Sequence, residues 1–303
     1  MTRAPDLSAA GTRVTKVKPA AFSYHRPRSV AETLDTLARL GEDAKVLAGG
    51  QSLVPLMSMR LSSPEHVVDV NHVPGLAEVE VQPDVVRVGA LVRHSGLEHH
   101  AAACDAAPLL RQALRLVAHP TIRNRGTSVG SLVHGDPAAE LPAVLLLLDG
   151  SVTLESADGT RDVQAAEFFV GPMQTQVRTG ELAVCATFRR LPSGSGSAFV
   201  EVARRQGDYA LCGVGAVVSG TPSSLSAARV ALITVAAGPV LVDLADGLAD
   251  GVLDPVAVRA AVDAAIDPET DIHASADYRR HLAHVLVERA LAQARDDLGE
   301  RAA

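Results

Sequence analysis

Apolar residues recur at helical spacing near the start of the chain: Val30, Leu34, Leu37 and Leu40 fall on one face. Ser29 ahead of them and Glu32 three positions later form a capping box, and Gly41 closes the predicted helix. Phe22 to Pro27 reads as an extended segment before it. The short apolar runs Ala44–Leu47 and Val67–Val70 read as strands. This stretch is therefore β-α-β, with Ala48–Leu53 as a loop leaving a strand.

A second pattern covers roughly residues 76–190. Val79–Val81 and Val85–Val88 alternate around a turn at Pro83-Asp84 and predict short strands. Ser95 is placed to cap a helix running through His99–Ala103, and Pro108–Val117 reads as another helix. Leu141–Leu148 predicts a buried helix, followed by strands at Val152–Leu154 and Leu182–Phe188. The run Pro192–Ser197, rich in Ser and Gly, is a composition break, either a hairpin loop or a boundary. Beyond it come strands near 198–203, 212–218 and 229–236, then helices near 254–265 and 277–296. Tyr278, Leu282, Val285, Leu286 and Leu291 form the predicted core stripe of the last helix. The expected division is a disordered lead over 1–20, one unit over 21–75, a second over 76–191 and a C-terminal α+β domain over 192–303.

Composition narrows the function classes. The chain has 303 residues, 47% of them hydrophobic and 21% charged, which suits a soluble globular protein. A net charge of −7 and the absence of Trp disfavour nucleic-acid binding by charge or by base stacking. Cys104, Cys185 and Cys212 are far apart, and an iron–sulfur cluster takes four thiolates, so none is expected on this chain. The sparse, odd count also argues against a disulfide scaffold. No signal peptide is expected at the start, and the apolar run Ala143–Leu148 is too short to cross a bilayer, so the expected location is cytoplasmic.

Two loops carry candidate chemistry. In Ala48-Gly49-Gly50-Gln51-Ser52-Leu53 the glycines let backbone amides converge on a diphosphate, and the Gln-Ser pair adds donors. Taken alone, Gly-Gly after a strand is more often a plain turn. In the second loop Gly126, Thr127, Gly130 and Ser131 again offer amide and hydroxyl donors, while Asp136 and Glu140 are placed to accept from ribityl or ribose hydroxyls. The plainer reading of Asp136 is a helix N-cap with Pro137 at the first helical position. Neither loop is a Gly-x-Gly-x-x-Gly or a P-loop, and Gly213-Val-Gly215 sits in strand-like alternation. His94, His99 and His100 lack a ligand pattern, so no metal site is expected. Arg123 and Arg125 fit phosphate neutralisation or a surface or ion-pair role about equally, and Tyr209 fits core packing better than a cover for a ring. No catalytic side-chain set stands out.

The order of these pieces resembles a known family. Phe22–Pro27, Lys45–Pro55, Met59–Leu61, Val88–His94, Ile122–Thr127, Asp136–Pro142, Gly207–Ala210 and Ser275–Arg280 together resemble the FAD-binding medium subunit of the molybdenum hydroxylases, across residues 22–295. The resemblance implies an α+β fold of two subdomains cradling FAD, of the vanillyl-alcohol-oxidase type, plus a C-terminal α+β domain. It implies FAD contacts from Ala48, Gly49, Gly50, Gln51, Ser52 and Leu53 and from Thr127, Ser128, Val129, Gly130 and Ser131. Lys45 and Leu47 precede the first loop, Glu140 falls on an acidic position that contacts the sugar-like chain, and Leu182 and Ala183 lie near the ring. Val129 stands where the family often has glycine, and a positive φ there would strain a β-branched residue. The resemblance further implies molybdopterin on a large partner chain, [2Fe–2S] clusters on a small one, and electron transfer through this chain's FAD to an external acceptor. Two other readings remain open on sequence grounds: a stand-alone flavoenzyme acting on a small molecule, and an interaction protein that has lost FAD.

Overall fold

The structure is a computed structural model and describes residues 19–302. The expected disordered lead lies almost wholly outside the described residues. The first unit runs β1 (Ser23–His25), α1 (Val30–Leu40), β2 (Ala44–Leu47), α2 (Leu53–Ser58) and β3 (His66–Asp69). Its strands pair in the order β1-β3-β2, both pairs parallel, as helical crossovers between successive strands require. Ser29 Oγ accepts from the Glu32 amide at 3.1 Å. The Glu32 carboxylate accepts from the Arg28 amide at 2.7 Å, one residue ahead of the cap itself. Leu34 and Leu37 are buried against Val68, Val70, Leu91, Leu182 and Val184, so this core draws on both flanking units.

The second unit begins with β4 (Val79–Val81) and β5 (Val85–Gly89). Six short helices follow: α3 (His94–Glu98), α4 (Ala101–Ala106), α5 (Pro108–Leu114), α6 (Pro120–Arg123), α7 (Ser128–His134) and α8 (Glu140–Leu147). Then come β6 (Ser151–Ser156), β7 (Gly159–Gln164), α9 (Ala165–Phe168), the small pair β8 (Phe169–Gly171) and β9 (Gln174–Thr175), and β10 (Leu182–Arg189). The main sheet has the order β4-β5-β10-β6-β7 and is antiparallel throughout. From Leu141 to Leu147 every α8 residue is buried, so this helix is apolar all round and fills the centre of the largest core.

Several sequence expectations are corrected here. Ser95 caps nothing: the helix starts at His94, whose amide donates to the Gly126 carbonyl at 3.0 Å. A separate helix begins after His100, whose Nδ1 accepts from the Ala103 amide at 3.2 Å. The helix from Pro108 ends at Leu114, short of the expected Val117, whose carbonyl, with that of Ala118, accepts from the Arg123 guanidinium instead. Asp136 is not a helix N-cap. Its carboxylate accepts from the Ala138 amide at 2.8 Å in a local turn, and α8 starts only at Glu140.

The C-terminal unit is an antiparallel meander of β11 (Ser195–Ala203), β12 (Ala210–Thr221), β13 (Ser224–Ile233) and β14 (Val240–Asp243). A small hairpin of β15 (Leu248–Ala249) and β16 (Val252–Leu253) follows, then α10 (Pro255–Ala265) and α11 (Ala276–Ala302). Only residues 192–194 of the run Pro192–Ser197 pass between the two sheets, since Ser195, Gly196 and Ser197 are already paired in β11. Gly213 and Gly215 lie inside β12, as the alternation predicted. Leu282, Leu286, Val287, Ala290, Ala294 and Leu298 bury the inner face of α11 against the sheet. Tyr278, expected in that stripe, is 44% exposed, because its neighbour Arg279 takes the buried face of that turn and donates to the Leu211 and Glu269 carbonyls. The other face of the sheet meets the second unit. Phe199, Val217, Ala231 and Ile233 join the α5 and α8 core, and Arg229 pairs with Asp149 at 2.9 Å. Among the described residues no helix is long and apolar enough to cross a membrane.

Candidate functional site

The chain after β2 and the chain before α7 come together at one point. The Cβ that Gly49 lacks would fall 2.6 Å from the Arg125 carbonyl oxygen and 2.7 Å from Gly126 Cα. Any side chain at Gly49 would therefore drive the two segments apart. Its neighbour Gly50 has φ +72°, a left-handed turn that opens onto α2. A cavity of about 620 Å³ lies along this junction, within the size class of small-molecule sites.

The cavity gathers residues from all three units. Lys45, Ala48, Gly49, Gly50, Gln51, Ser52 and Leu53 line one wall, and Thr127, Val129, Gly130 and Ser131 line the facing one. Asp136 and Glu140 close one side, Leu182 and Ala183 another. Leu47 and Ser128 stand behind the wall rather than on it. The Ser128 amide donates to the Val92 carbonyl at 3.0 Å, and its hydroxyl is buried without a partner.

Local chemistry explains why the walls hold this shape. Thr127 Oγ1 accepts from the Gly130 amide at 3.2 Å and caps α7. Val129 is helical and buried, with no positive φ, so the strain considered for a β-branched residue there does not arise. The opening amides of a helix have no intrahelical acceptor. In α7 the Ser128 and Gly130 amides are already taken and in α2 Val54 donates to the Gly50 carbonyl, so the amides of Gly50–Leu53 and Val129 form the donor set beside the cavity that suits an anion. The Gln51 side chain turns back onto its own loop and donates to the Gly49 carbonyl at 3.1 Å.

The charges are unevenly placed. Lys45 is the cationic side chain on the wall, whereas Asp136, Glu140, Glu181 and Asp208 are acidic. Arg123 is spoken for by an ion pair with Glu98 at 2.9 Å, which decides between the two roles considered for it. Arg125 is exposed to solvent. Burial, with the Glu201 and Asp136 carboxylates nearby, pushes the Glu140 carboxyl up to about 8. Burial alone pushes Glu201 up to about 7. Burial and the Arg123 charge push His94 down to about 4.

His94, Met173, Glu181 and the segment Gly207–Tyr209 also border the cavity and were not singled out as binding residues. His94 is buried beneath the second loop. His94 ends the Val88–His94 motif, and nothing in that spacing points inward. Tyr209 is 72% exposed at the rim, so the core-packing reading of that residue is overturned. Among the described residues no group of three or more His, Cys, Asp or Glu could hold a metal ion. All three cysteines are free and buried.

Comparison with known proteins gives this geometry a context. The family described as "FAD binding domain in molybdopterin dehydrogenase" matches residues 20–186, and "CO dehydrogenase flavoprotein C-terminal domain" matches residues 197–294. The chain is 41% identical over 283 residues to the 6-hydroxypseudooxynicotine dehydrogenase complex subunit alpha of Paenarthrobacter nicotinovorans, covering 92% of this chain and 96% of that one. It is 36% identical to the carbon monoxide dehydrogenase medium chain of Hydrogenophaga pseudoflava, covering 90% and 96%. A solved carbon monoxide dehydrogenase from Hydrogenophaga pseudoflava superposes with a TM-score of 0.87 at 35% identity, covering 91% of this chain and 98% of that one. The cavity between two glycine loops, its amide donors and the match of both halves of the chain make this protein a member of the FAD-binding medium-subunit family of the molybdenum hydroxylases, and so a subunit of an FAD-dependent oxidoreductase.

Proposed function

We propose that the chain holds FAD noncovalently in the cavity between its two glycine loops and serves as the electron-transfer subunit of a cytoplasmic molybdenum hydroxylase. Its division into units at 21–75, 76–191 and 192–303 belongs to the same reading. The amides around Gly50–Leu53 and Val129 would hold the diphosphate, with Lys45 offsetting part of its charge. Asp136 and Glu140 would meet the sugar-like chain, Glu140 donating while it keeps its proton. Leu182 and Ala183 would present an apolar surface to the ring. The bound flavin would supply the redox chemistry, between [2Fe–2S] clusters on a small partner, fed from molybdopterin on a large partner, and an external acceptor.

The observation that carries this reading is the meeting of the two loops across one cavity. That cavity's wall offers donors for an anion, and among the described residues no group of His, Cys, Asp and Glu is placed to hold a metal that would activate an organic substrate. Stopped-flow bleaching of the flavin tests it. Slow reduction of the lone chain by small organic substrates, and fast reduction once both partner chains and substrate are present, is the expected result. Fast bleaching of the lone chain would instead make it a self-sufficient flavoenzyme.

A further inference from the structure

Neither glycine loop is held in place by its own residues alone. Asn71, directly after β3, donates from Nδ2 to the Ala48 carbonyl at 2.8 Å and to Asp69 Oδ1 at 2.6 Å. Its Oδ1 accepts from Arg93 Nη2 at 2.6 Å. Arg93 Nη1 then donates to the Arg125 carbonyl. The chain of bonds thus joins the carbonyl just before Gly49 to the carbonyl just before Gly126. Asp69 steadies the first end, accepting from Tyr24 Oη at 2.5 Å and from the Asn71 amide at 2.9 Å. At the second end the Val92 carbonyl and the His94 amide, on either side of Arg93, pair with the Ser128 amide and the Gly126 carbonyl, both at 3.0 Å. Neither Asn71 nor Arg93 lines the cavity.

We infer that Asn71 and Arg93 are positioning residues that clamp the two glycine loops at the spacing needed for one diphosphate to bind both. The inference rests on the FAD reading above. The missing Cβ of Gly49 lets the loops touch, but contact alone leaves them free to slide. Two directional, partly charged bonds on a half-buried bridge fix their register. The donor and acceptor roles around Asn71 allow only one amide orientation, with nitrogen toward Ala48 and oxygen toward Arg93. An aspartate of the same shape would aim a carboxylate oxygen at the Ala48 carbonyl. It would keep the Arg93 bond while making the loop bond repulsive.

The test compares the full chain with Asn71→Asp and Arg93→Lys. FAD affinity is measured by flavin fluorescence, and the bound diphosphate by phosphorus NMR at saturating FAD. Loss of a bond to a charged or buried group predicts affinity weakened about ten- to a hundredfold, with displaced diphosphate resonances and an unchanged flavin absorption spectrum. Leu286→Ala, in the C-terminal core, is the control for general destabilisation. It should lower the melting temperature of the FAD-free chain and leave the diphosphate resonances where they are. If the parent binds no FAD, the functional reading fails. If the parent binds FAD and both clamp variants match it in affinity and resonances, the clamp is refuted. It is equally refuted if Leu286→Ala shifts the resonances as the clamp variants do.

Discussion

Glu140 carries a proton at a pH where most carboxyls have lost theirs. In the unfolded chain it titrates in the ordinary carboxylate range, whereas in the fold burial and two neighbouring carboxylates hold it up to about 8. The stability this neutral form contributes is full at low pH and is lost as pH rises through about 8. His94 works in the opposite sense. Held down to about 4, its contribution is full above its ordinary value of 6.5 and is lost as pH falls. Unfolded His94 is still half protonated at pH 6.5, so the window that isolates the carboxyls is roughly pH 7 to 8, where the loss from Glu140 and Glu201 outweighs the small remaining gain from His94. Of the other charges around Glu140, Asp136 adds to the upward shift and Arg123 opposes it. The melting temperature of the FAD-free parent should fall across this window, and Glu140→Gln should flatten the fall. Identical slopes in parent and variant would show that Glu140 is already ionised. The acidic character of position 140 was legible in the sequence. Its neutral state was not, because its burial and the approach of Glu201 come only once the C-terminal sheet has packed against α8.

The elements show where local rules held and where they yielded. Ser29 capped α1 as its spacing predicted, because no tertiary bond competes for that turn. Asp136-Pro137 had the same local qualifications and failed. The Pro137 carbonyl accepts from the Thr234 amide at the end of β13, at 2.9 Å, and the chain cannot start a helix there while making that bond. The cap that matters for the cavity is Thr127, which lies inside a loop motif and carried no helix expectation of its own. Thr127→Ala should lower the stability of the FAD-free chain by about 0.5–2 kcal/mol, measured by urea unfolding. Thr127→Ser, which keeps the hydroxyl, should recover most of the loss. A full-strength chain with Ala at 127 would mean that the Gly130 amide finds another acceptor.

At the scale of the whole molecule the prediction concerns cofactor content. Cys212 lies in the C-terminal core, the Cys104 thiol donates to the Leu97 carbonyl, and all three cysteines are buried without a thiol partner. The purified chain should therefore contain no iron and about one acid-releasable FAD. Because FAD would bind only the folded form, added FAD should raise the melting temperature in proportion to its occupancy. Iron in the purified chain, or flavin that stays with the acid precipitate, would contradict this.

The sequence by itself determined most of the strands, the first helix and its cap, the break between sheets near residue 192 and the two glycine loops. Each depends on neighbours within a few positions: alternation, a capping side chain, or a motif whose amides are its own. The tertiary structure alone decided that Gly49 meets Arg125, that Asn71 and Arg93 bridge the loops, that Arg123 is consumed by Glu98, and that Tyr209 stands at the rim. Those outcomes join residues distant in the chain, and a side chain's partner there follows from how the elements pack. Hydrophobic patterning marks which face of an element turns inward. It does not say which polar groups on other elements that face will meet, and in this molecule those meetings shape the cavity.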